Sequence, residues 1–376
     1  MLYQSLKTNK LILFIVLITL EGAFTSCKSS SQSSTSMTLE MRSNEQEDAK
    51  VTDTQDSNSS DANPKDMQGV NREDQMLDFT RMDFAVSDME VDSDLPSNRD
   101  QALASGTHMS NTLFDMTNRE YILHIPVNIN HNEPIPLVLC FHGYTSSATA
   151  IMNYSKFNQL ADLENFIVVY PQGSIFEEET HWNVGGWTLG SPADDLGFIN
   201  HLLDELSSIY HIDQQRIYST GMSNGGYMSF LLACQLSERI AAIASITGSM
   251  TPQTYNACQP QHPMPVLQIH GDEDTVVPYE GNRSWTRSID DVLGYWNRLN
   301  QNMDQPQVTM IEDTNFFDGS TVEHYIYSNE MQRINVEHYK VLGGEHDWPG
   351  AWGNKDIDAT LIIWEFFQHY NLQGRR

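Results

Sequence analysis

Cationic side chains are scarce in this sequence: 21 Lys and Arg stand against 50 Asp and Glu in 376 residues, a formal net charge of −29. Phosphate backbones and anionic lipid surfaces are bound through a cationic face that so few bases do not build, which excludes nucleic acid as a partner. Roughly a third of the acidic excess falls between residues 28 and 100, so the rest belongs to the compact part of the chain. Long hydrophobic runs are lacking as well, and the apolar stretch from Leu11 to Leu20 is too short for a comfortable transmembrane helix. Also absent are H-E-x-x-H, paired C-x-x-C, a P-loop and G-x-G-x-x-G after a strand. No metal and no cofactor is therefore expected.

Cysteine is sparse, with four residues: Cys27, Cys140, Cys234 and Cys258. Lys7 and Lys10 precede the apolar stretch, and residues 1–27 read as an export signal. Phe24-Thr25-Ser26-Cys27 is similar to a bacterial lipoprotein box, although Phe24 stands where an aliphatic residue is usual. Two outcomes are open: lipidation at Cys27, attaching the protein to a membrane, or plain secretion. In both the mature protein leaves the cytoplasm for the cell surface or the medium of a bacterium. Without Cys27 three cysteines remain, an odd number for an oxidising compartment. Cys140, inside an apolar run, reads as a buried free thiol. Cys234 and Cys258 are able to bridge, a pairing that sequence leaves open.

Residues 28–108 are rich in Ser, Asp, Asn, Gln and Glu without a sustained apolar period. Such a segment buries too little surface to offset its ordering entropy and reads as a disordered tether. Over 109–373 the texture changes to short β-type runs alternating with helical patterns, which predicts one domain with a mainly parallel sheet and helices on both faces. Expected strands are 121–127, 137–141, 166–170, 216–220, 241–247, 266–270 and 336–341. The clearest helix is 195–210, where Phe198, Ile199, Leu202, Leu203, Leu206 and Ile209 recur at helical spacing. A last helix, 357–370, carries enough apolar residues to be well buried.

The β-type run Arg216 to Thr220 feeds Gly221-Met222-Ser223-Asn224-Gly225-Gly226, and an apolar helical pattern follows. This is G-x-S-x-G in the strand-turn-helix setting of a nucleophile elbow, where glycines let the chain turn sharply and expose the serine. A serine hydroxyl needs a histidine base oriented by a carboxylate, in the chain order Ser, Asp or Glu, His. The strand Val266 to His270 ends in Gly271-Asp272-Glu273-Asp274. Asp274 is preferred there because Val276, Val277 and Pro278 look like a segment packed over the site; Asp272 is second. The loop Gly343-Gly344-Glu345-His346-Asp347-Trp348-Pro349 after the last strand places His346 as base, singled out of 13 histidines by position and order. The oxyanion donors are expected to be the backbone N–H groups of Asn224 and Tyr144, the latter after His142-Gly143, with His142 holding the loop. Trp182 and Trp348 are the expected substrate-stacking rings, with packing of their own loops as the plainer reading. Asp194 and Asp195 are able to bind a cation, but helix capping is simpler.

Taken together, Pro136 to Gly143, Trp182-Asn183, Asp194 to Ile199, Gly221 to Gly226, His270-Gly271 with Asp274 to Tyr279, and Gly343-Gly344 with His346, Trp348 and Pro349 resemble one exported esterase family. It groups bacterial polyhydroxybutyrate depolymerase-like proteins with feruloyl and acetylxylan esterases, and the resemblance covers Asn111 to Leu372. It implies an α/β-hydrolase fold and carboxylic ester hydrolysis, with Ser223 as nucleophile, Asp274 as orienting acid and His346 as base. This sequence departs from the family at Glu345, where a third glycine is commoner, and at Leu196, where valine is. The expected substrates are feruloyl or acetyl esters on plant or algal cell-wall polysaccharide. A poly(3-hydroxybutyrate) depolymerase is the second reading, and an inactive surface glycan-binding protein is the reading from another class.

Overall fold

The computed structural model describes residues 102–376 except 330 and 332. The expected export signal, Cys27 and all of the tether up to residue 101 lie outside the described residues.

In chain order the strands are β1 (Gly106–Phe114), β2 (Thr117–Ile125), β3 (Ile135–Phe141), β4 (Ile167–Pro171), β5 (Ser174–Phe176), β6 (Glu179–His181), β7 (Ile212–Met222), β8 (Ala242–Ile246), β9 (Val266–Gly271), β10 (Gln307–Met310), β11 (Thr321–Tyr327), β12 (Val336–Leu342), β13 (Tyr370–Asn371) and β14 (Gly374–Arg375). The helices are α1 (Ala148–Ser155), α2 (Phe157–Glu164), α3 (Asp195–Ile209), α4 (Asn224–Gln235), α5 (Pro252–Ala257), α6 (Ile289–Leu299) and α7 (Ala359–Phe367). Ten strands form one sheet in the order β1-β2-β4-β3-β7-β8-β9-β12-β11-β10. From β4 through β12 the neighbours run parallel; β1, β2, β10 and β11 pair antiparallel at the two sides. All seven expected strands are present.

The period-two rule of a strand explains the layers. Along β3, Leu137, Leu139 and Phe141 enter one core with Phe198, Leu202 and Leu206 of α3 and Trp296 of α6. Val138 and Cys140 enter a second core with Ile151 of α1, Leu160 of α2 and Ile363, Phe366 and Phe367 of α7. Every residue of β3, β4, β8 and β9 is buried, as a parallel sheet covered on both faces demands. Helix α7 is held by ring stacking, Trp364 on Phe166 at 4.0 Å and Phe367 on Tyr218 at 4.8 Å. Its start is fixed by the Asp358 carboxylate, which accepts the Thr360 and Leu361 N–H groups, so the helix is shorter at its N-terminus than apolar content suggests.

Cys234, at the end of α4, is bonded to Cys258 just past α5. That bridge closes a loop with a sequence separation of 24, which by the chain-entropy argument contributes about 3 kcal/mol. Cys140 is a buried free thiol.

Candidate active site

Strand β7 delivers Ser223 to the carboxyl end of the sheet, and α4 begins at the next residue. Ser223 has φ 55° and ψ −122°, a conformation that β-carbon sterics disfavour and that the surrounding packing must hold. The glycines on either side are required by close approach rather than by their own dihedrals. A Cβ on Gly225 would lie 2.2 Å from the Phe141 carbonyl oxygen, and one on Gly221 would lie 2.6 Å from the backbone of Gly225. The Ser223 N–H is spent on the Ile246 carbonyl of β8 at 2.8 Å, which pins the turn to the sheet.

Asp274, in the loop after β9, is placed by four groups. Its Oδ1 accepts the Val276 and Val277 N–H groups, each at 2.8 Å, and its Oδ2 lies 2.7 Å from His346 Nδ1 and 3.4 Å from His270 Nε2. Burial alone would raise this carboxyl, but the hydrogen bonds and charge of His270 and His346 outweigh it and hold it well below the usual carboxylate range. Asp272 faces elsewhere, accepting the Gly343 N–H at 2.7 Å and approaching Lys340. Of the two carboxylates weighed from sequence, the structure brings Asp274 to His346.

With Nδ1 turned to Asp274, the His346 ring has Nε2 left for chemistry. His346 and Ser223 line one cavity of about 300 Å³, together with Gly143, Tyr144, Tyr154 and Met222. Gly143 packs against the nucleophile position, its Cβ site being 3.4 Å from Ser223 Cβ.

The loop after β3 is set by His142, whose Nε2 accepts the Gly173 N–H at 2.9 Å. The other nitrogen, Nδ1, therefore carries the proton and donates to the Gly143 carbonyl at 2.7 Å. Burial pushes His142 down to about 4, so the ring is neutral. Fixing the Gly143 carbonyl toward His142 turns the other end of that trans peptide, the Tyr144 N–H, to the opposite side. Among the described residues neither the Tyr144 N–H nor the Asn224 N–H has a hydrogen-bond acceptor.

Trp182 and Trp348 correct the expectation of substrate-stacking rings. Both are buried, at 0% and 1% exposure, and present no face to a ligand. Trp348 donates from Nε1 to Thr360 Oγ1 and packs edge-on against Phe157 in the second core. Trp182 packs against Phe141 and His142, donates from Nε1 to the His142 carbonyl at 3.0 Å, and exchanges backbone hydrogen bonds with the Asn224 side chain. It is a strut between the two segments that carry the unpaired N–H groups. In this insertion the partly exposed Trp187 packs edge-on against Tyr144, a residue that lines the cavity, and its ring also meets Tyr227 and Trp285. Sequence reading also missed Tyr154 and Ile151 of α1, whose helical spacing signals burial and not which cavity the face lines.

Among the described residues no group of three His, Cys, Asp or Glu is placed to hold a metal ion. Asp194 caps α3 through the Gly197 N–H, and the buried Asp195 pairs with Arg119 at 2.7 Å while accepting the Asn183 N–H.

A mainly parallel sheet wrapped by helices, with a serine elbow after a central strand and an acid and a histidine on loops after later ones, defines an α/β-hydrolase fold. Among solved structures, the acetyl xylan esterase from Aspergillus awamori superposes with a TM-score of 0.52 at 17% identity, covering 70% of this chain and 99% of that one, which bears out the fold. Residues 119–267 match the family model described as esterase PHB depolymerase. The bifunctional acetylxylan esterase/xylanase XynS20E of Neocallimastix patriciarum is 24% identical over 261 residues, 68% of this chain and 34% of that protein. Feruloyl esterase B of Piromyces equi is 31% identical over 168 residues, 44% of this chain and 31% of that protein. The chain thus spans about a third of the length of these two relatives.

Proposed function

We propose that the protein is an exported serine esterase that hydrolyses feruloyl or acetyl esters on plant or algal cell-wall polysaccharide. The observation that carries this reading is the 2.7 Å contact of His346 Nδ1 with the buried Asp274, on a ring that shares its cavity with Ser223. In the reaction the Ser223 hydroxyl attacks the ester carbonyl while His346 Nε2 takes its proton, and the oxyanion rests on the Tyr144 and Asn224 N–H groups. The alcohol leaves with the proton returned by His346. Water then repeats the sequence on the acyl-enzyme, releasing the acid and restoring Ser223. Asp274 stays ionised throughout and holds the ring.

The relatives named for acetylxylan and feruloyl ester hydrolysis support the substrate class. The description of the family model favours a second reading, hydrolysis of poly(3-hydroxybutyrate) or its oligomers. An export signal over residues 1–27, with release or a lipid on Cys27, agrees with a substrate too large to enter a cell. Purified protein assayed on methyl ferulate, acetylated xylan and hydroxybutyrate oligomers separates these substrates. Faster turnover of the first two is expected, and equal slow rates on all three would reject the substrate class. Labelling of Ser223 by a fluorophosphonate excludes an inactive glycan-binding protein.

A further inference from the structure

A second cavity, of about 180 Å³, lies beside the first. The two share Tyr154 as a common wall, and each is bounded on one side by α1 and on the other by the loop that carries His346. Its inner wall is rigid: the Thr360 hydroxyl donates to the Ser155 carbonyl and accepts from the Trp348 indole. Its lining is of mixed character. Leu163 and Leu361 offer apolar surface at 81% and 48% exposure, while Lys156, Gln159 and Asp358 offer polar groups that the fold leaves open. Among the described residues the Lys156 ammonium and the Gln159 amide have no side-chain hydrogen bond. Asp358 Oδ1 caps α7, whereas Oδ2 has no partner there.

We infer that this cavity is a subsite for the sugar units next to the ester-bearing one, on a neutral polysaccharide chain running from Ser223 past Tyr154. The inference rests on the serine-esterase reading above. A pyranose has apolar C–H faces and a rim of hydroxyls that both donate and accept, matching leucine surface beside an ammonium, an amide and an open carboxylate oxygen. A polyester chain presents acceptors alone, which leaves the Asp358 oxygen without a donor. The net charge of −29 disfavours a polyanionic polysaccharide. Trp352, next in the chain to the lining residue Ala351, is 66% exposed and adds an aromatic surface of the kind sugars stack on.

The test compares wild type with a Lys156→Gly, Gln159→Ala double variant; glycine suits position 156, where φ is 57°. On acetylated xylo-oligosaccharides of two to six units, kcat/KM of the wild type should rise with length. The double variant should lose about tenfold on the hexamer and change less than about twofold on p-nitrophenyl acetate. A wild type indifferent to chain length, or an equal loss on both substrates, overturns the subsite. A loss confined to hydroxybutyrate oligomers assigns the cavity to a polyester and overturns the sugar assignment. Failure of the wild type on p-nitrophenyl acetate would instead reject the esterase reading. Calorimetric binding of unacetylated xylohexaose, expected in the wild type and weakened in the double variant, then tests the cavity by itself; equal binding by both overturns it.

Discussion

The side-chain amide of Asn224 and the backbone of Trp182 bond each other in both directions, the Trp182 N–H to Oδ1 at 2.7 Å and Nδ2 to the Trp182 carbonyl at 3.2 Å. Because the Trp182 indole also holds the His142 carbonyl, one buried residue spans the two backbone segments proposed to receive the oxyanion. Preorganised donors act only if their spacing is kept, so in the proposed reaction the strut would serve the oxyanion site without meeting substrate.

Replacing Trp182 by Phe keeps most of the volume and removes the indole N–H. The expected result is a fall in kcat of about tenfold with KM little changed, since the donors act mainly on the transition state. Steady-state kinetics on p-nitrophenyl acetate measures the split, and a rise in KM at constant kcat would contradict it.

Ser223→Ala should lower p-nitrophenyl ester turnover by at least three orders of magnitude, roughly the loss known for serine-triad nucleophiles. Circular dichroism and the melting temperature should match the wild type, because the small change relieves nothing that the sheet depends on. Retained turnover would remove Ser223 from the mechanism.

Asp274→Asn should reduce kcat by about 10⁴-fold, because an amide cannot stabilise the imidazolium or fix its tautomer. Asp272→Asn serves as the comparison and should leave kcat within a few-fold, as that carboxylate holds the turn at Gly343 and faces Lys340, away from His346. The reverse ranking would exchange their roles.

Acid should weaken the fold in a defined window. Burial pushes folded His142 down to about 4 and His338 to about 3, both below the unfolded value near 6.5. Between those limits the unfolded chain binds more protons, so stability is intact above about pH 6.5 and declines as pH falls toward 4. Asp274 acts in the same sense but lower, since a depressed carboxyl contributes stability that is present above the unfolded carboxylate value near 4 and is lost as pH falls below it. Melting temperatures from pH 7 to 4 should fall, less steeply in His338→Gln; parallel curves would refute this.

The central strands were legible because a parallel strand buried on both faces is a continuous apolar run, as in Leu137 to Phe141. Ser223, Asp274 and His346 were found by chain order at the ends of such runs. Strands β1 and β10 gave no such signal: Met109 and Leu113 of β1 point outward at 81% and 70% exposure, and β10 is exposed throughout. Edge strands lean on one neighbour, so their pattern is weak. Trp182 misled because aromatic residues amid glycine and asparagine look exposed, while its burial depends on Asn224, 42 positions away.

Cys140 gives the protein an internal clock. Its thiol is fully enclosed near the carboxyl end of β3, and burial pushes it up to about 12, so neither oxidants nor alkylating reagents meet a thiolate while the sheet is closed. With Cys234 and Cys258 already joined, the slow incorporation of an alkylating label at position 140 counts openings of the central sheet. The rate of that labelling reports how often the foundation beneath Ser223 comes apart.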